Sequence, residues 1–284
     1  MSIWLLPYYS MDITMNAVSK TVLACTATAA FLFAGAASAA EFNQFTVKPT
    51  GPFVNSTFTA DKITGNYTEV ATFNNDGTFN VSLYWNAGQF VTNGGNTGLA
   101  ANETGLGFDY GLYAVYTASG TTTVNNGVTS FTFLPGTGNL SLYLDGGADS
   151  KVAANPTSGT GAFTFTNTAN DILVASGNPI SGLGTLDPTL STCGSNGINC
   201  GSVGSTTSFA LTEFGKTFFV APNPFYSLSF QSSHLNNFTP TGTQTINGSL
   251  DVVFNQSTEV PEPASLALLG LGLLGLGFAR RRKS

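Results

Sequence analysis

Charge is scarce in this 284-residue chain: Asp, Glu, Lys and Arg make up only 8% of it, where a soluble domain carries about 25%. The few cations lie mostly at the ends. Arg280, Arg281 and Arg282, the only arginines, fall within the last five residues. Between Glu41 and Glu259, Lys48, Lys62, Lys151 and Lys216 stand against thirteen acids, a net charge of −9. Nucleic-acid binding needs clustered cations to neutralise phosphates, so nucleic acid is excluded as a main partner. Histidine is almost missing as well. Histidine-based catalysis would rest on His234 alone, in Gln231-Ser232-Ser233-His234-Leu235, and no G-x-S-x-G, P-loop, H-E-x-x-H or C-x-x-C is present. Two carboxylates of a glycosidase pair can be far apart in sequence, but nothing identifies one. The expectation is a protein with no enzymatic activity, no catalytic residue and no cofactor. The absence of a repeat period of about 20–50 residues argues against a solenoid.

In place of charge the chain has Thr, Ser, Asn, 33 Gly and 23 Phe. Hydroxyls and amides solvate such a surface, a composition that suits exported β proteins. From Met15 the chain reads MNAVSK, then TVLACTATAAFLFAGAASAA, then EFNQF. One lysine, an apolar stretch and small residues form a secretory signal peptide over 1–40, with Met15 as a candidate start. Cleavage by signal peptidase is expected at Ala37, Ala39 and Ala40, after export by the general secretion machinery. A lipoprotein box ending at Cys25 is the rival reading, yet only four residues separate it from Lys20, which leaves no room for the apolar core.

At the other end, Val260-Pro261-Glu262-Pro263 precedes the apolar run 264–279 and the basic residues Arg280, Arg281, Arg282 and Lys283. Sixteen helical residues span about 24 Å, short of the ~30 Å hydrocarbon core. A single transmembrane helix there is an adequate but weak anchor, with its basic stop in the cytoplasm by the positive-inside rule. Both ends then place residues 41–258, an exported β-rich domain, outside the inner membrane. Each proline fixes φ and pushes its predecessor toward extended geometry, so the Pro-Glu-Pro triplet is an extended handle for a membrane protease.

Val-Pro-Glu-Pro, a Leu/Gly-rich segment and a terminal Arg cluster, in that order at the terminus, resemble the PEP-CTERM sorting signal of Gram-negative bacteria (also known as an ice-binding-protein C-terminal motif). The resemblance covers 259–284. It implies transient anchoring in the inner membrane and recognition of Pro261, Glu262 and Pro263 by an exosortase, a membrane-embedded cysteine transpeptidase-like enzyme that removes the tail. Transfer to the outer surface or extracellular matrix follows, alongside exopolysaccharide production and biofilm. Leu134-Pro135-Gly136-Thr137-Gly138 mimics the Gram-positive LPxTG signal, but no hydrophobic segment follows it, and it reads as a turn.

The middle of the chain alternates apolar and polar residues in short runs parted by Gly, Asn and Pro. Thr78 to Trp85 puts Phe79, Val81 and Leu83 on one face. Ser130–Leu134, Asn139–Leu144, Ala162–Thr166, Asp171–Ala175, Ser208–Leu211, Thr217–Val220, Phe225–Phe230 and Ser249–Phe254 read similarly. Asn75-Asp76-Gly77 and Asn125-Asn126-Gly127 are hairpin turns. No run has a helical period. The expected fold is all-β, an antiparallel β-sandwich or jelly-roll-like domain. Asn178 to Thr207, rich in Gly, Ser and Thr, reads as one long loop, holding a disulfide between Cys193 and Cys200 as befits an oxidising compartment. Metal binding by that pair lacks enough ligands. Asp145-Gly-Gly-Ala-Asp149 could help hold Ca²⁺ or be an ordinary turn. Tyr84 and Trp85 are candidate glycan contacts, as are Tyr110, Tyr113, Tyr116, Phe225 and Tyr226, all of which could equally pack a core.

Ile63 to Glu69, Tyr84 to Phe90, Leu142 to Asp145, Ala221 to Tyr226 and Gly242 to Gly248 resemble stretches of flocculation-associated PEP-CTERM proteins. That resemblance implies a role in holding cells in exopolysaccharide-bound flocs. A carbohydrate-binding module for that polymer is the alternative, and a secreted hydrolase a more distant one.

Overall fold

Side chains of successive strand residues point to opposite faces, and the run that begins at Thr78 obeys this as far as Ala87, burying Phe79, Val81, Leu83, Trp85 and Ala87 on one side, before a bulge shifts the register. The computed structural model describes residues 42–49, 51, 54, 56–193 and 197–255. The expected signal peptide, its expected cleavage residues and the whole sorting signal, including the segment 264–279, lie outside the described residues. Among the described residues no helix is long and apolar enough to cross a membrane.

Seventeen strands form. The first eight are β1 (Phe45–Val47), β2 (Phe58–Ala60), β3 (Lys62–Phe73), β4 (Thr78–Thr92), β5 (Thr97–Gly98), β6 (Tyr110–Asn125), β7 (Val128–Phe133) and β8 (Leu140–Gly146). They are followed by β9 (Lys151–Ala154), β10 (Thr164–Thr166), β11 (Asp171–Gly177), β12 (Pro179–Leu186) and β13 (Gly201–Thr207). The last four are β14 (Ala210–Leu211), β15 (Phe219–Ala221), β16 (Ser227–Ser232) and β17 (Gly242–Asn255). Two short helices, α1 (Ala101–Thr104) and α2 (Glu213–Phe218), join strands.

The antiparallel all-β fold expected from the sequence is the one that forms, and its main sheet closes on itself. Walking from neighbour to neighbour, β3 pairs β4, β4 pairs β6, β6 pairs β7 and β7 pairs β12. The circuit continues through β13, β16 and β17 and returns to β3, which makes eight strands in a ring. Closure removes the exposed edges that an open sheet would present. Two strands of the ring are prolonged end to end. β8 continues β7 along the same edge of β6, and β11 continues β12 beside it. The Leu134–Gly138 segment is the kink between β7 and β8, held where Thr137 Oγ1 donates to Leu134 O at 2.7 Å.

One reading of the sequence is overturned here. Asn178–Thr207 is not a single loop: β12 and β13 occupy half of it and pair with each other over seven positions. Their small residues leave room for aromatics across the barrel wall. A Cβ on Gly182 would lie 2.8 Å from the Phe133 ring, and one on Gly184 would lie 3.2 Å from that of Phe131. The true loop is 187–200, and a disulfide joins Cys193 to Cys200 within it. The hairpin at Asn126-Gly127 has φ of 50° and 82° at those two residues, the left-handed pair that an Asn-Gly turn supplies.

Aromatic rings plug both ends of the barrel. At the end carrying the first residues of β3, Phe45, Phe90, Phe219, Phe225 and Phe254 form a cluster of edge-on and tilted pairs, with β1 laid across between β2 and β15. At the other end Phe238, on the loop after β16, stacks on Phe73 and Phe131 at 5.8 and 6.0 Å. That loop is tied to the disulfide loop: Cys200 N donates to Leu235 O and Leu235 N to Gly201 O.

Candidate functional site: a groove on the outer wall

Trp85 does not offer a face to a sugar. It is 0% exposed, its Nε1 donates to Leu250 O at 2.8 Å, and it packs so close to Gly65 that a Cβ there would lie 2.4 Å from Nε1. The alternation that turns Phe79, Val81 and Leu83 inward also turns Trp85 inward. Tyr110 and Tyr116 are buried too, Tyr116 with its hydroxyl bonded to Ser205 Oγ at 2.6 Å.

Tyr84, one residue away, points the other way and packs on Tyr113, Phe163 and Phe165, rings that line a groove. The outward positions of β4, β6 and β8 align in rows. Ser82 lies opposite Thr117, Tyr84 opposite Val115 and Asn86 opposite Tyr113. On the next strand Ser141 stands beside Val115 and Tyr143 beside Tyr113. A barrel wall that faces only water would be polar at these positions. This one carries three tyrosines, because a second layer covers it.

The cover comes from residues 151–168. Strands β9 and β10 form a hairpin, with Phe165 opposite Val152, and residues 155–163 cross the wall as a strap toward β3. The strap is seated at Gly159, whose N–H donates to Thr72 Oγ1 at 2.9 Å. A side chain is sterically barred there, since a Cβ would lie 1.9 Å from Asn80 O. Phe163 and Phe165 meet Tyr84 at 6.0 and 5.5 Å, and Phe165 meets Tyr113 at 5.3 Å. Tyr113 and Tyr143 stack at 5.2 Å with their planes 19° apart.

Between wall and cover lies a groove of about 620 Å³, lined by Tyr113, Tyr143, Phe163 and Phe165 with the polar groups of Ser82, Thr117, Asn139, Ser141, Thr160, Thr168 and Asp171. That volume suits a small-molecule or oligomer segment, for which sites run from about 300 to 1,000 Å³. Aromatic faces with interspersed hydroxyl, amide and carboxylate groups are the chemistry that holds a sugar, whose C–H face stacks on rings while its hydroxyls need partners at the edge.

Carboxylates gather at one end. Asp171 Oδ2 accepts from the Tyr113 hydroxyl at 2.6 Å, and Ser150 Oγ donates to Asp171 at 2.8 Å. Asp145 shares the outward face of β8 with Tyr143 and is 4% exposed. Its Oδ2 accepts from Ser150 N at 2.8 Å, while its Oδ1 has no hydrogen-bond partner among the described residues. Burial pushes the Asp145 pKa up, and repulsion from Asp171 and Asp149 adds to that, against the lowering effect of backbone N–H bonds from Ser150 and Asp149. Burial, the hydrogen bond to Asp171 and neighbouring negative charge push the Tyr113 hydroxyl up as well. Among the described residues there is no group of three or more His, Cys, Asp or Glu that could hold a metal ion.

Other candidates sit elsewhere. Phe225 lines a second, 320 Å³ hollow with Phe209, Phe219, Pro222, Pro224 and Lys216, which contains no hydroxyl or carboxylate. His234 is exposed on the loop after β16, its Nδ1 3.0 Å from Ser233 Oγ, and lines neither space. The groove itself escaped the sequence reading because its aromatics come from three strands and a strap that carries no periodic signal. The outward parity of Tyr84 and Tyr143 was the one available clue.

The sorting motif, Val260, Pro261, Glu262 and Pro263 with the basic stop, lies beyond the described residues. No curated protein and no solved structure matches the chain. Residues 259–283 match the family model of the PEP-CTERM protein-sorting motif. The chain therefore carries a PEP-CTERM sorting signal, the mark of an exported protein that is held briefly at the membrane and processed by exosortase.

Proposed function

We propose that this is a non-enzymatic protein of the outer cell surface or extracellular matrix that binds cells into exopolysaccharide flocs, with the groove between β4/β6/β8 and the 151–168 cover as its polysaccharide contact. The carrying observation is the aromatic groove on an exported, low-charge barrel bearing the sorting motif. Stretches that resemble flocculation-associated proteins support it, since Ile63–Glu69, Tyr84–Phe90 and Gly242–Gly248 lie on three adjacent barrel strands, β17, β3 and β4.

The barrel holds a rigid face, and exosortase processing would deliver it beyond the inner membrane. Aromatic stacking is worth about 1 kcal/mol per ring, so a single groove holds a chain weakly. Many copies along one polymer would hold it strongly through effective concentration.

The test uses the mature protein and exopolysaccharide isolated from the producing strain. Sedimentation with the polymer should be strong for the native protein and weak for Tyr143→Ala and Phe165→Ala, with folding checked by circular dichroism. Deleting the gene should weaken flocculation, and the Tyr143→Ala allele should fail to restore it. Full binding by both groove variants would refute the assignment of the groove, and unchanged flocculation on deletion would refute the floc role.

A further inference from the structure

The groove is not electrically neutral, and its imbalance points to the class of sugar. This step rests on reading the groove as a glycan site. We propose that the groove selects a polysaccharide bearing free amino groups, its ammonium drawn to Asp171 while a sugar ring lies against Tyr143 and Phe165.

No Lys or Arg lines the groove. The ion pairs among the described residues are Lys62 with Asp251 and Lys216 with Glu213, so neither Asp145 nor Asp171 is in one. The hydrogen bonds that Asp171 accepts from Tyr113 and Ser150 orient its carboxylate but leave the charge in place. Buried carboxylate oxygens ordinarily have a donor, yet Asp145 Oδ1, on the same strand face as Tyr143, has none among the described residues. Asp171 lines the cleft, with Asp145 buried beside it on the paired strand, and an acid in a partly desolvated cleft makes a negative potential that concentrates cations and repels anions. A uronic-acid or sulfated polymer would bring like charge into that cleft. A fully N-acetylated sugar would satisfy the rings and leave the acids as they are. An amino sugar supplies both an apolar ring face and the missing positive charge.

The neighbouring Lys151 side chain is exposed on β9 and makes no ion pair among those described, so it does not neutralise this end.

The test compares three probes by calorimetry on the mature protein at low salt: glucosamine oligomers, the same oligomers fully N-acetylated, and oligogalacturonate. Glucosamine oligomers should bind about tenfold more tightly than the acetylated ones, the gain of one charge-assisted contact. Oligogalacturonate should not bind. Asp171→Asn should erase the preference, read as the ratio of the two affinities. Equal affinity for free and acetylated oligomers would overturn the amino-sugar selection and leave the glycan reading standing. A preference for glucosamine that survives Asp171→Asn would overturn the assignment of this carboxylate end. Failure of the native protein to bind all three probes and the native exopolysaccharide would remove the glycan reading itself.

Discussion

Among the described residues, Glu69 is the carboxyl whose side chain points into the barrel, where it lines two internal cavities. It sits on β3 between Leu83 of β4 and Ile246 of β17, flanked by two internal cavities of about 30 and 20 Å³ that Tyr67 and Phe133 also line. Each has room for a water or two, for which about 10–15 Å³ suffices, and no cation lines either. Burial alone pushes the Glu69 pKa from 4.5 up to about 7. The folded protein therefore holds this proton more tightly than the unfolded chain. A raised acid contributes stability that is complete below the unfolded value and lost as pH rises through the folded value. The window is pH 4.5 to about 7, and the shift corresponds to on the order of 3 kcal/mol, somewhat less where cavity water solvates the carboxylate. Glu69→Gln keeps the shape and a donor but cannot ionise. Urea unfolding followed by fluorescence is a direct assay, because Trp85 is the only tryptophan after residue 40 and it is fully buried. Shifts at Asp145, Asp76 and Glu213 are common to both proteins and cancel in the difference. The variant should match the native protein within about 1 kcal/mol near pH 4 and exceed it by about 2–3 kcal/mol near pH 8. A stability difference that stays the same at both pH values would refute the placement of Glu69.

Three further substitutions follow from the packing. Trp85→Ala should destabilise the barrel by about 3–5 kcal/mol through the cavity left over Gly65 and the lost bond to Leu250 O, measured by urea melts read through circular dichroism. Gly159→Ala should lift the strap, because no Cβ fits against Asn80 O; hydrogen exchange should rise across 155–165 while the barrel strands stay protected. Breaking the Cys193–Cys200 disulfide with Cys193→Ser and Cys200→Ser should lower stability by at most about 2.5 kcal/mol, the chain-entropy limit for so small a ring. A larger loss in a reversible melt would mean that the ring also holds the loop around Leu235 in place.

Much of the fold was legible where side chains alternate cleanly. Thr78 to Trp85 announces a strand with one apolar face, and the Asn-Gly pair at 126–127 announces its turn. Closure of the barrel was not legible, because the β17–β3 contact joins Gly242–Val253 to Lys62–Phe73 across the whole domain and local pattern says nothing about which distant strands meet. Strands β12 and β13 were misread because their small residues carry little hydrophobic signal; they are small since Phe131 and Phe133 fill the space in front of them. At the candidate site, parity separated Tyr84 from Trp85 in principle. What covered Tyr84 was the strap and the hairpin beside it, and the strap's seat at Gly159 depends on a contact with Asn80 that no spacing reveals.

The most direct measurement is mass spectrometry of the protein recovered from culture supernatant and from the cell envelope. The account predicts an amino terminus created by cleavage near Ala39 or Ala40, and a carboxyl terminus near Pro261–Pro263 from which the apolar run and Arg280–Lys283 are gone. A mature protein that keeps its chain intact through Ser284 would contradict it.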